Sequence, residues 1–463
     1  MARAEALALR DHIARTSAEQ FLWGPAEAAR VNGLDRGTAL GGRLPDLIGR
    51  SVLIATADQL TTALALIELD GRVRRLTILP PDTQAEHLSA IIASAEIGAA
   101  VVDRDTARSA AFDLPVCVVA APEIVGAEST ADACFRTEWV MLTSGTTGAP
   151  KMVMHDLARL TAAIASKSPA DDAAVWGTFY DIRRYGGLQI FLRTVHGGAS
   201  LVLASAGEAV ADHLARLAAR GVTHLSGTPS HWRRALMNAT IRSIAPRYVR
   251  LSGEIADQAV LDGLRAVFPQ AAIAHAYAST EAGVAFDVND GLAGFPAAFV
   301  GPVRGGVEMK IVDGSLHIRS PRTASRYVGF AQPLLDSDGF VDTGDMVELH
   351  GDRYYFVGRR GGIINVGGFK VHPEEIEAVI NRHPQVRMSL VRPKRSPITG
   401  AVVIADVVLK SQSEGVEERQ IEVRNDILQL CRDTLPRHKV PAAISFVPAL
   451  SVDATGKLAR RPG

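Results

Sequence analysis

Short apolar runs alternate with stretches of helical periodicity through the first half of the chain. Residues 51–57 form a mostly apolar run that is typical of a buried strand, and residues 59–69 repeat apolar side chains at helical spacing. Strands are also predicted at residues 75–79 and 116–120, on either side of a helix over 83–97. Strand–helix alternation of this kind predicts mainly parallel sheets covered by helices.

The same alternation resumes after Lys151 and changes near residue 284. Residues 298–357 contain short strand candidates separated by glycine turns, which favours a small antiparallel subdomain. Further strands in the alternating region are predicted near residues 138–142, 174–179, 200–203, 222–225, 247–251 and 271–276.

A second break lies near Arg359, where Gly361 and Gly362 interrupt the pattern and a compact α+β pattern follows. We predict two domains, residues 1–358 and residues 359–463, joined by a glycine-bearing hinge. The predicted fold class is α/β. Parallel-sheet subdomains and a small antiparallel β subdomain form the large N-terminal domain, and a small mobile α+β domain follows it.

Charge and composition exclude several classes of function. The 463 residues carry 50 Lys plus Arg and 50 Asp plus Glu, so neither nucleic acid nor an anionic membrane is the expected main partner. No apolar run approaches the ~20 residues of a membrane span, so we expect no integral membrane contact. Cys117, Cys134 and Cys431 are scattered, which favours a reducing cytoplasm over a disulfide framework. The oligomeric state is left open.

The segment after the strand at 138–142 is rich in glycine and hydroxyl side chains, with the order Thr143-Ser144-Gly145-Thr146-Thr147-Gly148-Ala149-Pro150-Lys151. The two glycines allow a phosphate to approach the backbone closely, and the hydroxyl and N–H groups can form an anion-binding nest. Lys151 adds a positive charge. Taken alone, the segment is equally consistent with a polar surface turn, and its glycine spacing differs from that of the P-loop of nucleotide triphosphatases.

Five segments in order resemble the motifs of the adenylate-forming superfamily, which includes acyl-CoA synthetases, aryl-CoA ligases, luciferases and the adenylation domains of peptide synthetases. The resemblance spans residues 140–460 and is nearest to the AMP-forming acyl- or aryl-CoA ligases. Its segments are Thr143–Lys151, Tyr277-Ala278-Ser279-Thr280-Glu281, Asp342-Thr343-Gly344-Asp345, the junction from Gly358-Arg359 to Glu377, and Thr455-Gly456-Lys457-Leu458-Ala459-Arg460.

The resemblance implies an ATP site. In the family, the position of Glu281 helps to hold Mg²⁺ and that of Thr280 contacts phosphate, and oxygen ligands suit this hard ion. Asp345 is expected to accept hydrogen bonds from the ribose hydroxyls with the help of Arg359, and Tyr277 to stack near adenine. Each of these residues, taken alone, has an ordinary structural explanation.

The same resemblance assigns the chemistry to Lys457, which would neutralise charge at the forming acyl-phosphate bond. It also implies that the C-terminal domain rotates after adenylation and presents a second face. Gly367, Gly368 and Lys370 would then lie beside a passage for a thiol. The alternative for the two glycines is a tight turn that needs their backbone torsions.

The acid pocket is harder to predict. Tyr185 stands where adenylation domains for α-amino acids carry an acidic residue, which argues against such a substrate. Arg184 could face a polar or anionic group of the acid or a CoA phosphate, or belong to a surface pair with Arg183. The other predicted pocket residues are Gly186, Gly253 and Ala278.

The predicted function is ATP-dependent activation of a small carboxylic acid to an acyl-adenylate, followed by transfer to a thiol, with CoA as the expected acceptor. One alternative is a stand-alone adenylation enzyme that loads a separate pantetheinylated carrier protein or forms an amide. A second alternative, from another class, is a nucleotide-binding module without catalysis, although the presence of both Glu281 and Lys457 argues against it. The sequence does not name the acid.

Overall fold

The structure is a computed structural model that describes residues 8–14, 19–109, 112–126, 135–143, 150–164, 174–396, 400–410, 416–453 and 455–460. Most of the predicted phosphate loop, namely Ser144, Gly145, Thr146, Thr147 and Gly148, lies outside the described residues, as does Cys134. Within the described part of the chain, no helix combines the length and the apolar character that crossing a membrane requires.

The first sheet has seven described strands, and its central strands are parallel. Val52, Leu53 and Ile54 are fully buried, as expected where helices cover both faces of a parallel sheet. The strand order is Arg326–Val328, Lys151–Asp156, Glu138–Thr143, Arg75–Ile78, Ser51–Ala55, Ala99–Val102 and Cys117–Val119, and Lys151–Asp156 runs antiparallel to all the others.

The second sheet has eight described strands, of which the inner six are parallel. Its order is Gly283–Val288, Ala272–Ser279, Tyr248–Ser252, His224–Gly227, Val175–Thr178, Ser200–Val202, Phe21–Trp23 and Ala28–Arg30, and the two end strands are antiparallel to their neighbours. One apolar core joins this sheet to the first through the helices Gln59–Leu69 and Tyr185–Gly197. This shared core fixes the positions of the carboxyl ends of the parallel strands.

The third sheet is antiparallel, as predicted for residues 298–357. Its described order is Phe295–Pro296, Arg353–Arg359, Val341–His350, Ser315–Arg319, Val307–Val312 and Gly301–Arg304. The strand Arg353–Arg359 ends at the predicted break, and a single 3-10 turn, Arg360–Gly362, follows it.

A small C-terminal domain follows this turn and has its own apolar core, from Ile364 to Ile444. The hairpin Ile364–Val366 and Phe369–Val371 precedes a sheet of Val386–Ser396, Gly400–Leu409 and Ala443–Phe446. The helix Pro373–Ile380 starts with proline and has two glutamates in its first turn, which are favourable at a helix N-terminus.

The described helices cover the sheets on both faces, and short pairs of residues, Gly37–Thr38 and Val125–Gly126, form a minor ribbon. The remaining helices are Leu9–Ala14, Leu88–Ser94, Arg104–Ser109, Leu157–Thr161, Val210–Ala219, Pro229–Ala235, Gln258–Val267 and Val416–Thr434.

These elements confirm the predicted fold class. The helix Gln59–Leu69 has the predicted bounds, because Asp58 caps it by accepting a hydrogen bond from the Thr61 N–H. The predicted helix over 83–97 is shorter, with the 3-10 turn Ala85–His87 before Leu88–Ser94. The strand Ala99–Val102 was not predicted from its four residues, although it lies inside the first sheet.

Candidate active site

A cleft of about 3030 Å³ separates the C-terminal domain from the sheets. Ligands of open parallel sheets bind outside the carboxyl ends of the strands, where this cleft begins. It brings together most of the predicted site residues that the structure describes. They are Thr143, Lys151, Arg184, Tyr185, Gly186, Gly253, Tyr277, Ala278, Thr280, Glu281, Asp345, Arg359 and Lys457.

Asp345 is the centre of a small polar network in the cleft. Its Oδ2 accepts a hydrogen bond of 2.6 Å from the Tyr277 hydroxyl, and its Oδ1 accepts one of 2.8 Å from Arg359 Nε. Burial raises the pKa of Tyr277 well above its usual value, and Asp345 acts in the same direction, so the phenol remains a donor. Since a carboxylate oxygen accepts more than one hydrogen bond, Asp345 can still accept from a diol.

The Thr-Gly-Asp segment orients Asp345 by an irregularity in its strand. Gly344 has a φ of +67°, which favours glycine, and its N–H donates to Asp342. The Asp345 N–H donates to the Thr343 hydroxyl, which in turn donates to the Leu316 carbonyl. The pairing register shifts at Met346, as in a β-bulge, and such bulges re-aim side chains beside functional sites.

The aromatic face of Tyr277 is held by packing. Its ring stacks on Phe356 with centroids 5.2 Å apart and on Phe286 with centroids 5.7 Å apart. These contacts fix the position of the Tyr277 ring in the wall of the cleft.

Glu281 lies beside Tyr327 of the first sheet, and Tyr327 in turn lies beside Lys151 of the same sheet. The hydroxyl of Tyr327 donates to Glu281, and burial together with this carboxylate raises the pKa of Tyr327 to about 12. The ammonium of Lys151 lies 5.2 Å from the centre of the Tyr327 ring. Lys151, Tyr327 and Glu281 therefore form one cluster at the exit of the predicted phosphate loop.

Thr280 is positioned by a buried histidine. His155 Nε2 lies 2.7 Å from the Thr280 carbonyl oxygen, and burial lowers the pKa of His155 to about 4. The neutral imidazole donates to the carbonyl, because a carbonyl only accepts, and this fixes the turn after the strand Ala272–Ser279.

The loop of Lys457 docks onto the second sheet. The Thr228 hydroxyl donates to the Gly456 carbonyl at 2.9 Å, and the Leu458 N–H donates to Glu254 Oε1 at 3.1 Å. Glu254 is itself held by Ser230, whose N–H and hydroxyl both donate to it. These contacts place the Lys457 stem beside Gly253, where an added Cβ would lie 3.5 Å from Lys457 Cε.

Both the backbone conformation and the space available at residue 456 require glycine in the docked loop. Its φ is +75°, and an added Cβ would lie 2.0 Å from the ring of His231. His231 is a buried, neutral residue, because burial lowers its pKa to about 3, and its Nδ1 accepts from the Thr228 N–H. The loop therefore reaches the cleft only if residue 456 lacks a side chain.

The end of the chain returns to the C-terminal domain. Arg460 binds Glu377 through two hydrogen bonds of 3.0 Å and 2.7 Å, the forked geometry that is strongest for arginine and carboxylate. The loop of Lys457 is thus anchored at its tip on the second sheet and at its base on the helix Pro373–Ile380.

Lys457 is surrounded by charges of both signs. Burial lowers its pKa, Arg359 acts in the same direction, and Glu254, Asp453 and Asp345 oppose the shift. A polyphosphate bound between Lys457 and Arg359 would favour the charged ammonium, since an opposite charge raises the pKa of a lysine.

Arg184 and Tyr185 both line the cleft, but they have different surroundings. Arg184 lines the cleft and forms an ion pair with Asp82, so its charge already has a partner. The Tyr185 ring is buried and lies 5.6 Å from that of His155, and burial raises the pKa of its hydroxyl. Neither residue presents an unpaired charge to the cleft.

Gly367 and Gly368 form the turn of an exposed hairpin and do not line the cleft. Their φ values are +58° and +90°, so the turn itself requires glycine torsions. Space beside Gly368 is open, with no atom within 4 Å of an added Cβ, and Lys370 is exposed nearby. While Lys457 is docked, this hairpin is away from the site.

Sequence reasoning missed His155, Glu254 and Tyr327. No motif marks them, because each acts through a neighbour that is distant in sequence. For Tyr327 the signal exists but is weak, since the strand Arg326–Val328 pairs with Lys151–Asp156 directly after the predicted phosphate loop.

Known protein families match both parts of this chain. The family described as AMP-binding enzyme matches residues 56–328, and the C-terminal domain of AMP-binding enzymes matches residues 375–457. The first match covers more than half of the chain. This chain belongs to the AMP-binding enzyme family.

Relatives of this AMP-binding enzyme include 2-succinylbenzoate–CoA ligases. The protein of Salmonella typhimurium is 28% identical over 328 residues, which cover 69% of this chain and 67% of that protein. The protein of Escherichia coli is 27% identical over 450 residues, which cover 95% of this chain and 90% of that protein. A rice 4-coumarate–CoA ligase is 28% identical over 220 residues, 43% of this chain and 37% of that protein.

Solved structures share the fold of this AMP-binding enzyme. An anthranilate CoA ligase in complex with anthranoyl-AMP matches with a TM-score of 0.79 and 17% identity, covering 98% of this chain and 96% of that one. An amide bond synthetase from Marinactinospora thermotolerans matches with a TM-score of 0.77 and 20% identity, covering 97% of both chains. These likenesses extend over both domains.

We expect Gly456→Ala to slow acyl-adenylate formation at least about tenfold, because the new methyl group collides with His231 and displaces the Lys457 loop. The measurement is acid-dependent pyrophosphate release. Gly207→Ala is the matched control, since Gly207 has a φ of +80° but no atom within 4 Å of an added Cβ. Equal rates for the two variants would contradict the docking role of Gly456.

Proposed function

We propose that this enzyme activates a small carboxylic acid with ATP and then transfers the acyl group to the thiol of CoA. The observation that carries the proposal is the position of Lys457, which shares one cleft with Tyr277, Asp345 and Arg359 although it lies over 90 residues further along the chain. The names of the relatives that cover most of their own length support CoA as the acceptor.

In the first step, a carboxylate oxygen of the acid attacks the α-phosphorus of ATP, and the bond to the bridging oxygen breaks to release pyrophosphate. Two anions must meet in this step, so positive charge at the reaction centre lowers the barrier. Lys457 supplies this charge from beyond the turn Arg360–Gly362, and Arg359 supplies it from the last position of the strand before that turn. Asp345 holds the ribose, and the fixed ring of Tyr277 holds the adenine.

The residues present suit a magnesium ion that is shared with the nucleotide. Mg²⁺ in such sites is held by one or two carboxylates together with phosphate oxygens. Glu281 offers a carboxylate that Tyr327 orients, and the described residues contain no cluster of three or more His, Cys, Asp or Glu side chains that would form a complete protein cage. Bound there, Mg²⁺ would neutralise charge on the phosphates.

In the second step, the thiol sulfur of CoA attacks the acyl carbon, the thiol loses its proton, and the acyl–oxygen bond breaks to release AMP. We infer that the part of the small domain beyond the turn Arg360–Gly362 rotates between the steps and brings the Gly367–Gly368 turn to the cleft, while Arg359 stays in its strand. The 3-10 turn Arg360–Gly362 supports this, because its two glycines are exposed and an added Cβ would meet no atom within 4 Å at either one.

Lys457→Ala should reduce the rate of pyrophosphate release about a hundredfold or more, while the affinity for ATP changes little, because the lysine acts mainly in the transition state. Single-turnover release with a substrate acid measures the rate, and nucleotide titration measures the affinity. Lys394→Ala, at an exposed position away from the cleft, is the control. A rate near that of the unmodified enzyme would remove Lys457 from the mechanism.

Glu281→Gln should raise the magnesium concentration needed for half-maximal activity several-fold, because an amide lacks the anionic oxygen that this ion prefers. A magnesium titration of pyrophosphate release is the test. The exposed Glu123→Gln serves as the control. If the Glu281 variant gives the same titration curve and the same maximal rate, Glu281 is a structural residue.

Gly368→Leu should slow thioester formation more than adenylation, because bulk at this turn obstructs the thiol. Any side chain at residue 368 meets the same backbone strain, since φ is +90°. Gly368→Ala is therefore the matched control, and the difference between Leu and Ala isolates bulk from strain. Both half-reactions and the melting temperature are measured. Equal loss of both steps in the two variants would make the turn structural.

A further inference from the structure

A small side chamber opens from the wall of the cleft. It shares Tyr180, Tyr185, Gly186, Ser252 and Ala278 with the cleft, so a ligand in the cleft can reach it directly. The chamber lies between the helix Tyr185–Gly197 and the second sheet. Its deeper residues are Gln189, Ile190, Ser226, Arg250 and Val284.

Two polar side chains stand next to each other in this chamber. Ser226 and Arg250 are paired in register on neighbouring parallel strands, so their side chains lie on the same face of the sheet. Ser226 is 1% exposed, and its hydroxyl has no hydrogen-bond partner among the described residues. Buried hydroxyls are nearly always paired, so this hydroxyl is available to bond a polar atom that enters the chamber.

The charge of the chamber is already balanced. Arg250 Nη1 lies 2.7 Å from Asp287 Oδ1 and also donates to the Tyr248 hydroxyl. Among the described residues that line the chamber, none is an aspartate or glutamate. A substrate ammonium would therefore have no counter-ion, and a second carboxylate would compete with Asp287 for a guanidinium that is already paired.

The dimensions of the chamber limit what can enter it. Its volume is about 20 Å³, which is room for one water-sized group. The tyrosine rings, Ala278 and Val284 form apolar walls above the polar end. The Tyr180 hydroxyl donates to the Ser252 carbonyl, and burial raises its pKa to about 12, so this wall stays uncharged.

We infer that the acid activated by this enzyme is compact and carries one neutral oxygen, that of a hydroxyl group, at the end remote from its carboxylate. This oxygen enters the chamber and accepts a hydrogen bond from Ser226, with Arg250 beside it. The inference rests on the proposed function and adds the substrate class to it. Ser226 and Arg250 determine specificity, and the reaction at the carboxylate is unchanged.

The test compares matched acids in ATP-dependent pyrophosphate release. Two series are used, benzoates substituted at the 3- or 4-position and butyrates substituted at the 4-position, each with hydrogen, hydroxyl, carboxylate or a cationic amine, which is aminomethyl on the benzoates and ammonium on the butyrates. In at least one series, we expect kcat/KM for the hydroxyl acid to exceed that for each of the three other acids by about tenfold or more. The reason is that a site that is built for a hydrogen bond rejects analogues that lack it.

Ser226→Ala then removes the proposed donor. The variant should lower the ratio of kcat/KM between hydroxyl and unsubstituted acids roughly five- to tenfold, the effect of one neutral hydrogen bond. Ser51→Ala is the matched control, since Ser51 is an equally buried strand serine whose hydroxyl accepts from Arg74 and lies away from the cleft. Melting temperatures of both variants separate specificity from folding.

The outcomes distinguish the inference from the function on which it rests. Pyrophosphate release with unsubstituted or charged acids in preference to hydroxyl acids would overturn the inference and leave adenylation intact. An unchanged ratio in Ser226→Ala would also overturn it. Pyrophosphate release with none of the acids in either series would contradict both the substrate class and the proposed function for acids of this size.

Discussion

The docking of one loop onto the second sheet is the constraint on which the site depends. The cleft has walls from two domains with separate apolar cores, and among the described residues no apolar core is shared by both. Hydrogen bonds to Thr228 and Glu254, and the close fit of Gly456 over His231, bring the tip of the loop to Gly253. The ion pair of Arg460 with Glu377 ties the loop to its own domain, so the position of Lys457 reports the arrangement of the two domains.

The buried elements of the fold were predictable where one signal dominated. Gln59–Leu69 combines periodic apolar residues with an aspartate cap, and both signals agree with the tertiary structure. Ala99–Val102 has only four residues, too few for a clear periodicity, and its pairing with Ser51–Ala55 and Cys117–Val119 makes it a strand. The antiparallel sheet was recognisable as a region because its glycine turns are local features.

The site was predictable where one segment contains both the residue and the reason for it. Thr343 and Gly344 explain the orientation of Asp345, and all three lie in one motif. The polar end of the side chamber has no such signature, because Ser226 and Arg250 become neighbours only through strand pairing. Arg184 could be singled out by sequence, but its partner Asp82 lies 102 positions away and could not.

Asp345, Tyr277 and Arg359 all lie on the N-terminal side of the turn Arg360–Gly362, whereas Lys457 and the Gly367–Gly368 hairpin lie beyond it. A rotation about this turn would exchange one C-terminal face for the other without moving any of the residues proposed to contact the nucleoside. The nucleotide can therefore stay bound in one position while the residues around its phosphate are exchanged. A reactive acyl-adenylate held in this way need not leave the protein between the two steps, which protects it from hydrolysis in solvent.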